Sequence, residues 1–297
     1  MASVQDYKRR IRSVRNTRKI TRALELVAAA KLRRAQVRIE AMRPYADTMR
    51  ELISGVGRAA GSVQRLPLLQ QREETASTLI VPLTGDRGLA GAFNAQVTRR
   101  AFAVERRLQA EGQTVRWLAV GKKGRSTLTF RRRTLDGAFV GFMDAPGYAD
   151  AQVIAHRAAS LFIEGEVDRV VLVYNTFVSA LTQTVTEQEI LPISADILET
   201  DEQERADDTL RGDFIFEPEP EEILARLLPV YVETQVYRAL LESSASEQGA
   251  RMTAMRNASK NAAELIDGLT LEMNRARQAE ITQEILEVVA GADALAG

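Results

Sequence analysis

Apolar side chains recur at alternating spacings of three and four through the first sixty residues, which is the heptad pattern of a coiled-coil helix. The heptad positions are Val4, Tyr7, Ile11, Val14, Arg18, Thr21, Glu25, Ala28, Leu32, Ala35, Ile39, Met42, Ala46, Met49, Ile53 and Val56. At about 1.5 Å per residue, a helix of about 55 residues is roughly 80 Å long, which no single globular domain buries. Pro44 lies inside the pattern and is expected to kink the helix.

The heptad is interrupted near the stretch ITRALELVAAAKLRRAQ, which is also strongly basic. Its polar members are Arg18, Thr21 and Glu25. Over the same turns, Ile20, Leu24 and Val27 place apolar groups on a neighbouring face of the helix. This pattern predicts two contact surfaces on one helix, with one partner on the seam and another around the interruption.

A second heptad pattern occupies the end of the chain. Its positions are Tyr231, Thr234, Arg238, Leu241, Ala245, Gln248, Met252, Met255, Ser259, Ala262, Ile266, Leu269, Met273 and Ala276. The pattern then fails at Glu280 and Gln283, and apolar residues continue one position over. Pro229 is expected to bend the first turns. Because neither helix is stable alone in water with its stripe exposed, we expect the two ends to pair as an antiparallel coiled coil.

The middle of the chain alternates between strand-like and helix-like segments. Three segments are typical of buried strands: STLIVP, TVRWLAV and DRVVLVYNTF. A fourth segment, LTQTVTEQEILPI, alternates like a strand with one solvent-exposed face. Two amphipathic helices lie between them. The pattern predicts an α/β, Rossmann-like domain with a mostly parallel sheet and an antiparallel edge. We expect this domain to cover residues 76–209, inserted in a coiled coil made of residues 1–75 and 210–297.

No catalytic or metal-binding constellation is recognisable in this sequence. GDRGLAG, from Gly85 to Gly91, sits where a strand meets a helix, but it lacks the lysine and hydroxyl of a P-loop and the spacing of a dinucleotide motif. The chain has no cysteine and one histidine, His156, which is expected to be an ordinary helix residue. The sequence therefore predicts a chain without cofactor, metal or catalytic residues of its own.

Charge and hydropathy restrict the partners. The net charge is +0, but the N-terminal helix is strongly basic, which suits an acidic protein or a nucleic acid. The aromatic and base-reading elements that usually accompany nucleic-acid binding are missing, so we expect no nucleic acid. No apolar run approaches the roughly 20 residues that span a bilayer, so we expect no direct bilayer insertion. The start, MASVQDYKRRIRS, is not typical of a secretory signal.

Three segments together resemble the γ subunits of F-type ATP synthases. They are ITRALELVAAAKLRRAQ, GDRGLAGAFN, and ESSASEQGARMTAMRNASKNAAELI followed by LEMNRARQAEITQEILEVVAGADAL. The resemblance implies a central rotor shaft, one copy per complex, inside a ring of three α and three β subunits. Its foot would contact the ε subunit and the membrane c-ring, and it would couple proton-driven rotation to the catalytic β subunits. It also implies a peripheral protein at the cytoplasmic face of the bacterial plasma membrane, since the chloroplast insert and a transit peptide are not seen.

The resemblance assigns roles to particular residues. Contact with β is implied for Arg277, Gln278, Leu24, Arg22, Lys31 and Arg33, with Leu24 standing where a methionine is common. An apolar bearing around the helix end is implied for Ile281, Ile285, Val288 and Val289. Contact of the foot with the c-ring or ε is implied for Phe216 and Glu217. The alternative is a non-rotary coiled-coil scaffold whose α/β head binds a small ligand near Gly85 to Gly91.

Overall fold

The computed structural model describes residues 3–60, 66–72, 74–198 and 217–296. Two long helices contain the predicted heptads: α1 spans Val4–Ala59 and α5 spans Pro220–Ala296. Helix α1 continues past Pro44 and helix α5 past Pro229, although neither proline has an N–H group to donate. The chain divides into two compact units, one of residues 1–29 with 251–297 and one of residues 30–250. We call the first the helix-pair unit and the second the sheet unit.

The helix-pair unit is an antiparallel pair, as the sequence predicted. Thr21 Oγ1 and Ser259 Oγ lie 2.7 Å apart, and Arg256 Nε donates to Glu25 Oε1 at 3.0 Å. Residue numbers rise along α1 as they fall along α5, so the two helices run in opposite directions. Apolar seam members are buried around these contacts, among them Ile11, Ala28, Met255, Ala262 and Ile266.

Two of the three polar seam positions, Thr21 and Glu25, form contacts inside the helix pair, whereas Arg18 is exposed. Thr21 and Glu25 are only 8% and 4% exposed. The Glu25 carboxylate accepts from Arg256 on α5 and, at 2.8 Å, from Arg22 one turn away on α1. Burial raises the pKa of the Glu25 carboxyl, but the hydrogen bonds from Arg256 and Arg22 outweigh it and hold the pKa below its ordinary 4.5. The interruption of the α1 heptad pattern at Thr21 and Glu25 is therefore a polar part of the interface between α1 and α5.

The register of the pair explains where α5 loses its partner. Val4, the first residue of α1, lies 17 residues before Thr21, and Ala276 lies 17 residues after Ser259. The antiparallel register therefore places the start of α1 level with Ala276. Every residue from 277 to 292 is exposed, a length of about 16 residues or roughly 24 Å of helix. We call residues 277–292 the C-terminal extension.

The sheet unit contains a five-stranded sheet in the order β3-β2-β1-β4-β5. The strands are β1 Ser77–Pro82, β2 Thr114–Val120, β3 Gly137–Phe139, β4 Arg169–Phe177 and β5 Gln183–Leu191. Neighbours pair in parallel from β3 to β4, and β5 pairs antiparallel with β4. The predicted mostly parallel sheet with an antiparallel edge is confirmed.

Helices cover both faces of the sheet. Three helices connect its strands: α2 Phe93–Ala110, α3 Lys122–Phe130 and α4 Tyr148–Ile163. One face packs against α4 and against segments 49–56 of α1 and 224–240 of α5, in a core that includes Leu79 and Leu172. The other face packs against α2 and α3, around Ile80 and Trp117.

Two sequence expectations stay predictions. The first is the pair of domain boundaries at residues 75/76 and 209/210, since residues 199–216 lie outside the described residues. The second expectation is that the chain does not insert directly into the bilayer. Within the described ranges, no helix combines the length and apolarity that crossing a membrane requires.

A disulfide tests the register of the helix pair. Because the hydroxyl oxygens of Thr21 and Ser259 lie 2.7 Å apart, the sulfurs of Thr21→Cys and Ser259→Cys should bond readily. The chain has no other cysteine, so the cross-link can be read directly on a non-reducing gel. The control combines Thr21→Cys with Ile266→Cys, about 10 Å further along the axis. Efficient cross-linking of the control pair would contradict the register.

The buried Glu25 carboxylate predicts a pH dependence of stability. Its pKa is lower in the folded chain, so its stabilisation is complete above pH 4.5 and is lost as pH falls through the folded pKa. Glu25→Gln should lower the free energy of unfolding by about 1–3 kcal/mol at pH 7, and the difference should shrink below pH 4.5. Denaturant unfolding at pH 7 and at lower pH measures this.

The matched control for Glu25 is Glu264→Gln on α5. The Glu264 side chain is 66% exposed and lies 3.9 Å from Lys260, so its loss should change stability by no more than about 0.5 kcal/mol. A gap between Glu25→Gln and the unchanged chain that stays constant at every pH would show that the carboxylate charge does not matter.

Candidate functional site: the exposed surfaces of the long helices

The α1 surface around the polar seam carries exposed apolar side chains. Ile20, Leu26 and Val27 are 60%, 59% and 52% exposed, and Leu24 is half-buried. The Arg22 side chain is 62% exposed while it pairs with Glu25. The predicted rotation of the apolar stripe is therefore visible as an apolar and basic strip that the helix pair itself leaves uncovered. Leu26 is a member that the heptad analysis did not single out.

The two other predicted basic contact residues lie in the sheet unit. Lys31 Nζ donates to Asp144 Oδ2 at 3.0 Å, and only 27% of its side chain is exposed. The Asp144 carboxylate also accepts from Gln248 on α5 at 3.3 Å. Arg33 is exposed. Lys31 is thus engaged in an internal ion pair that no sequence pattern predicts, and Arg33 is exposed.

The C-terminal extension gathers most of the other predicted residues on one helix end. Arg277 and Gln278 are exposed at its first positions. The four predicted bearing residues follow, and their exposed fractions are 46% for Ile281, 57% for Ile285, 73% for Val288 and 52% for Val289. Leu286, 63% exposed, belongs to the same apolar surface and was missed because it falls outside the heptad register. So many apolar groups on an unpaired helix indicate an interaction surface.

The predicted foot is described only in part. Glu217 is exposed and lies just before the start of α5. Phe216 lies outside the described residues.

The Gly85 turn has the position of a phosphate-binding loop, but the chain's own side chains occupy it. The Asp86 carboxylate accepts from the backbone N–H groups of Lys122, Gly141 and Met143 at 2.9, 2.9 and 3.1 Å. Thr84 Oγ1 accepts from Gly124 N at 2.7 Å. The N–H groups of Lys122 and Gly124 at the start of α3 are therefore already bonded within the chain.

Two glycines allow this close packing. A Cβ at Gly121, where φ is +88°, would lie 1.9 Å from the Thr84 carbonyl oxygen. A Cβ at Gly85 would lie 2.6 Å from Glu247 Oε1 on α5. Both glycines serve internal contacts, which weakens the alternative of a small-ligand site at Gly85 to Gly91.

The single histidine belongs to another internal cluster. Glu233 on α5 accepts from Tyr148 Oη at 2.7 Å and from Gln152 Nε2 at 3.1 Å, and it lies 2.9 Å from His156 Nε2. Burial raises the pKa of the Glu233 carboxyl, but these three partners outweigh it and hold the pKa below its usual value. The cluster joins α4 to α5 inside the sheet unit. Among the described residues, no group of three or more His, Cys, Asp or Glu side chains is placed to hold a metal ion.

Comparison with known proteins places the chain in one family. The family model described as ATP synthase matches residues 3–295. The ATP synthase gamma chain of Moorella thermoacetica is 47% identical over 297 residues, covering 99% of this chain and 100% of that one. The ATP synthase gamma chain of Rubrobacter xylanophilus is 46% identical over 296 residues, covering 100% and 99%.

Solved structures agree with this assignment. A chain from the central stalk and c-ring structure of the Tetrahymena thermophila mitochondrial ATP synthase is 32% identical, with a TM-score of 0.59 over 81% of this chain and 99% of that one. A chain from the Euglena gracilis mitochondrial ATP synthase is 21% identical, with a TM-score of 0.68 over 98% and 94%, and shares the fold. Since the matches extend along nearly the whole chain, it belongs to the ATP synthase gamma chain family.

Proposed function

We propose that this chain is the central rotor shaft of a bacterial F-type ATP synthase. It couples rotation of the membrane c-ring to the conformational cycle of three catalytic β subunits, for ATP synthesis or for hydrolysis in reverse. The observation that carries the proposal is the C-terminal extension, a helix end with exposed apolar residues in a member of the gamma chain family. One copy stands inside a hexamer of three α and three β subunits.

The C-terminal extension fits a bearing inside the hexamer. Ile281, Ile285, Leu286, Val288 and Val289 are each at least 46% exposed. An apolar sleeve would remove these side chains from water and hold the helix through non-directional contacts. Such contacts have no preferred angular position, so the helix can turn while it stays centred.

The contacts with β provide the angular preference that the bearing lacks. Arg277 and Gln278 stand at the first positions where α5 is without α1, and both are exposed. Arginine presents five donors in a fixed fork that suits a carboxylate or a carbonyl cluster. A bond from these residues to one β subunit forms in one of three orientations and breaks on rotation.

The strip on α1 supplies a second contact with β. Arg22 and Leu24 lie beside the exposed residues Ile20 and Val27 in the helix-pair unit. Arg33 is exposed in the sheet unit. An acidic loop of β would be attracted to this strip. The charge of Lys31 is balanced by Asp144, so Lys31 contributes less to this attraction than the exposed Arg33.

At the end of the shaft opposite the hexamer is the foot. Glu217 is exposed before α5, and together with Phe216 it is assigned to contact with the c-ring or the ε subunit. The coiled-coil shaft, residues 1–75 and 210–297, then links this foot to the hexamer, and residues 76–209 form the α/β domain at the foot. The chain is peripheral, at the cytoplasmic face of the plasma membrane.

In this role the chain contributes geometry and no catalytic group. ATP chemistry belongs to the β subunits, and the asymmetry of the shaft makes their three sites differ. Each proton that crosses about 100 mV releases roughly 2.3 kcal/mol, and several are combined for each ATP. The helix pair transmits this work as rotation.

Co-purification with α and β subunits tests the function. The tagged chain should elute with α and β in size-exclusion chromatography, at one copy per three αβ pairs. Nucleotide binding should require β. A chain that elutes alone and binds a small ligand through Gly85–Gly91 would establish the scaffold alternative.

The contact of Arg277 and Gln278 with β makes a kinetic prediction. A charge-assisted bond shielded from water contributes about 1.5–3 kcal/mol, so Arg277→Ala with Gln278→Ala should slow steady-state ATP hydrolysis roughly tenfold or more. Assembly and the affinity for the first nucleotide should stay nearly unchanged, because the bond forms in only one rotor orientation.

The control for this prediction is Lys260→Ala with Glu264→Ala, an exposed ion pair on the same helix. It should leave turnover unchanged. Size-exclusion chromatography beside the hydrolysis assay separates slow turnover from failed assembly. Normal turnover of an intact Arg277/Gln278 variant complex would remove these residues from the mechanism.

A further inference from the structure

One face of the sheet unit carries a concentration of positive charge that the neutral total conceals. Residues 93–136 contain eleven lysines and arginines against three acidic residues, whereas the whole chain has 40 of each sign. These residues form α2, α3 and their flanking strands and loops, on the sheet face opposite α4 and α5. We call the solvent side of these two helices the α2–α3 face.

Only part of this charge is neutralised within the chain. Arg100 and Arg107 both bond to Glu187 on β5, and Arg133 bonds to Glu105. Arg116 bonds to Asp136 and to Glu166. The other basic residues have exposed side chains and no ion-pair partner among the residues that the structure describes. They are Arg99, Arg106, Lys122, Lys123, Arg125, Arg131 and Arg132.

An aromatic side chain stands in the middle of these charges. Phe130, the last residue of α3, is 83% exposed, the largest fraction among the exposed large apolar residues. Its neighbour Arg131 packs over the Phe102 ring at 5.9 Å, and Phe102 packs against Trp117. The nearby aromatic rings are therefore covered, and Phe130 is left facing solvent.

The end of α3 fixes the position of this phenylalanine. Arg132 has a φ of +57°, and its N–H donates to the Thr129 carbonyl at 2.9 Å. The Arg133 N–H donates to the Leu128 carbonyl at 3.0 Å. These two bonds close the helix with a left-handed residue, a Schellman motif, which holds Phe130 on a rigid helix end.

We propose that the α2–α3 face binds the surface of a membrane rich in anionic phospholipid. Lysines and arginines near such a surface are each attracted to its negative potential, and the attraction falls off within a Debye length. An aromatic ring among basic residues on a helix is the pattern of interfacial membrane binding, in which the ring enters the boundary below the headgroups. Phe130 supplies the ring, and Lys122, Arg125 and Arg132 supply charge.

The same chemistry argues against the other anionic partners. Single-stranded nucleic acid requires several exposed aromatic rings for stacking, and Phe102 and Trp117 are covered here. An acidic protein would bind the charges but would give no reason for a lone ring 83% exposed at a rigid helix end. The inference is independent of the rotor function, since vesicle binding by this chain needs no other subunit.

Vesicle co-sedimentation tests the inference with the full chain. Binding is expected to vesicles with a third of phosphatidylglycerol in phosphatidylcholine, and not to pure phosphatidylcholine. Lys122→Gln, Arg125→Gln and Arg132→Gln together should reduce the partition coefficient on the order of 100-fold. Phe130→Ala should reduce it about tenfold. Raising the salt concentration should weaken binding of the unchanged chain.

The matched control removes the same charge from α1, through Arg34→Gln, Arg38→Gln and Arg43→Gln, three exposed residues of the same unit. It should keep most of the binding, and thermal melting should show that all variants fold. Equal losses in the two triple variants, or equal binding to both vesicle types, would overturn the inference. So would unchanged vesicle binding of the α2–α3 variant together with lost binding to the αβ hexamer, which would identify the face as a protein interface.

Discussion

The polar contacts between α1 and α5 fix the register on which the rest of the shaft depends. A heptad seam of small apolar residues can slide by one repeat at little cost, but Thr21 would then lose Ser259 and Glu25 would lose Arg256. The buried Glu25 carboxylate would keep only Arg22, on its own helix, and the loss of its partner across the seam is unfavourable. The register places the start of α1 level with Ala276, and that alone determines which turns of α5 are left free for other proteins.

A second set of polar contacts attaches the sheet to α5. Residues 241–249 are all buried although the motif ESSASEQG is mostly polar. Ser246 Oγ donates to the Asn175 carbonyl at 3.1 Å, and Glu247 lies over Gly85. The carboxyl edge of the sheet is where a doubly wound fold usually binds its ligand. Here a helix of the same chain occupies that edge, so the fold serves to hold the helix.

Sequence periodicity predicted the elements that are long or strongly patterned, and it missed those that depend on distant partners. Both long helices and the main strands follow from spacing. Helix α3 and strand β3 were not predicted, because α3 has few apolar residues and depends on Asp86, 36 residues away, to bond its first N–H. Spacing singled out Ile281, Ile285, Val288 and Val289 among the apolar residues of the C-terminal extension but not Leu286, and their role as a bearing stays a prediction. The pairing of Lys31 with Asp144 required the fold.

The free energy delivered by the protons, compared with that of single contacts, decides which contacts of the proposed shaft carry the torque. Three or more protons crossing about 100 mV deliver roughly 7 kcal/mol or more to the rotor. A single charge-assisted bond, such as one from Arg277 to β, is worth about 1.5–3 kcal/mol and would break under that load. It can therefore time a step but cannot hold the torque. The load must be shared by the apolar seam of many side chains and by the buried contacts that join the sheet to α5, among them the Glu233 cluster. Strong, distributed contacts belong inside the rotor, and weak, breakable ones belong where it meets its partners.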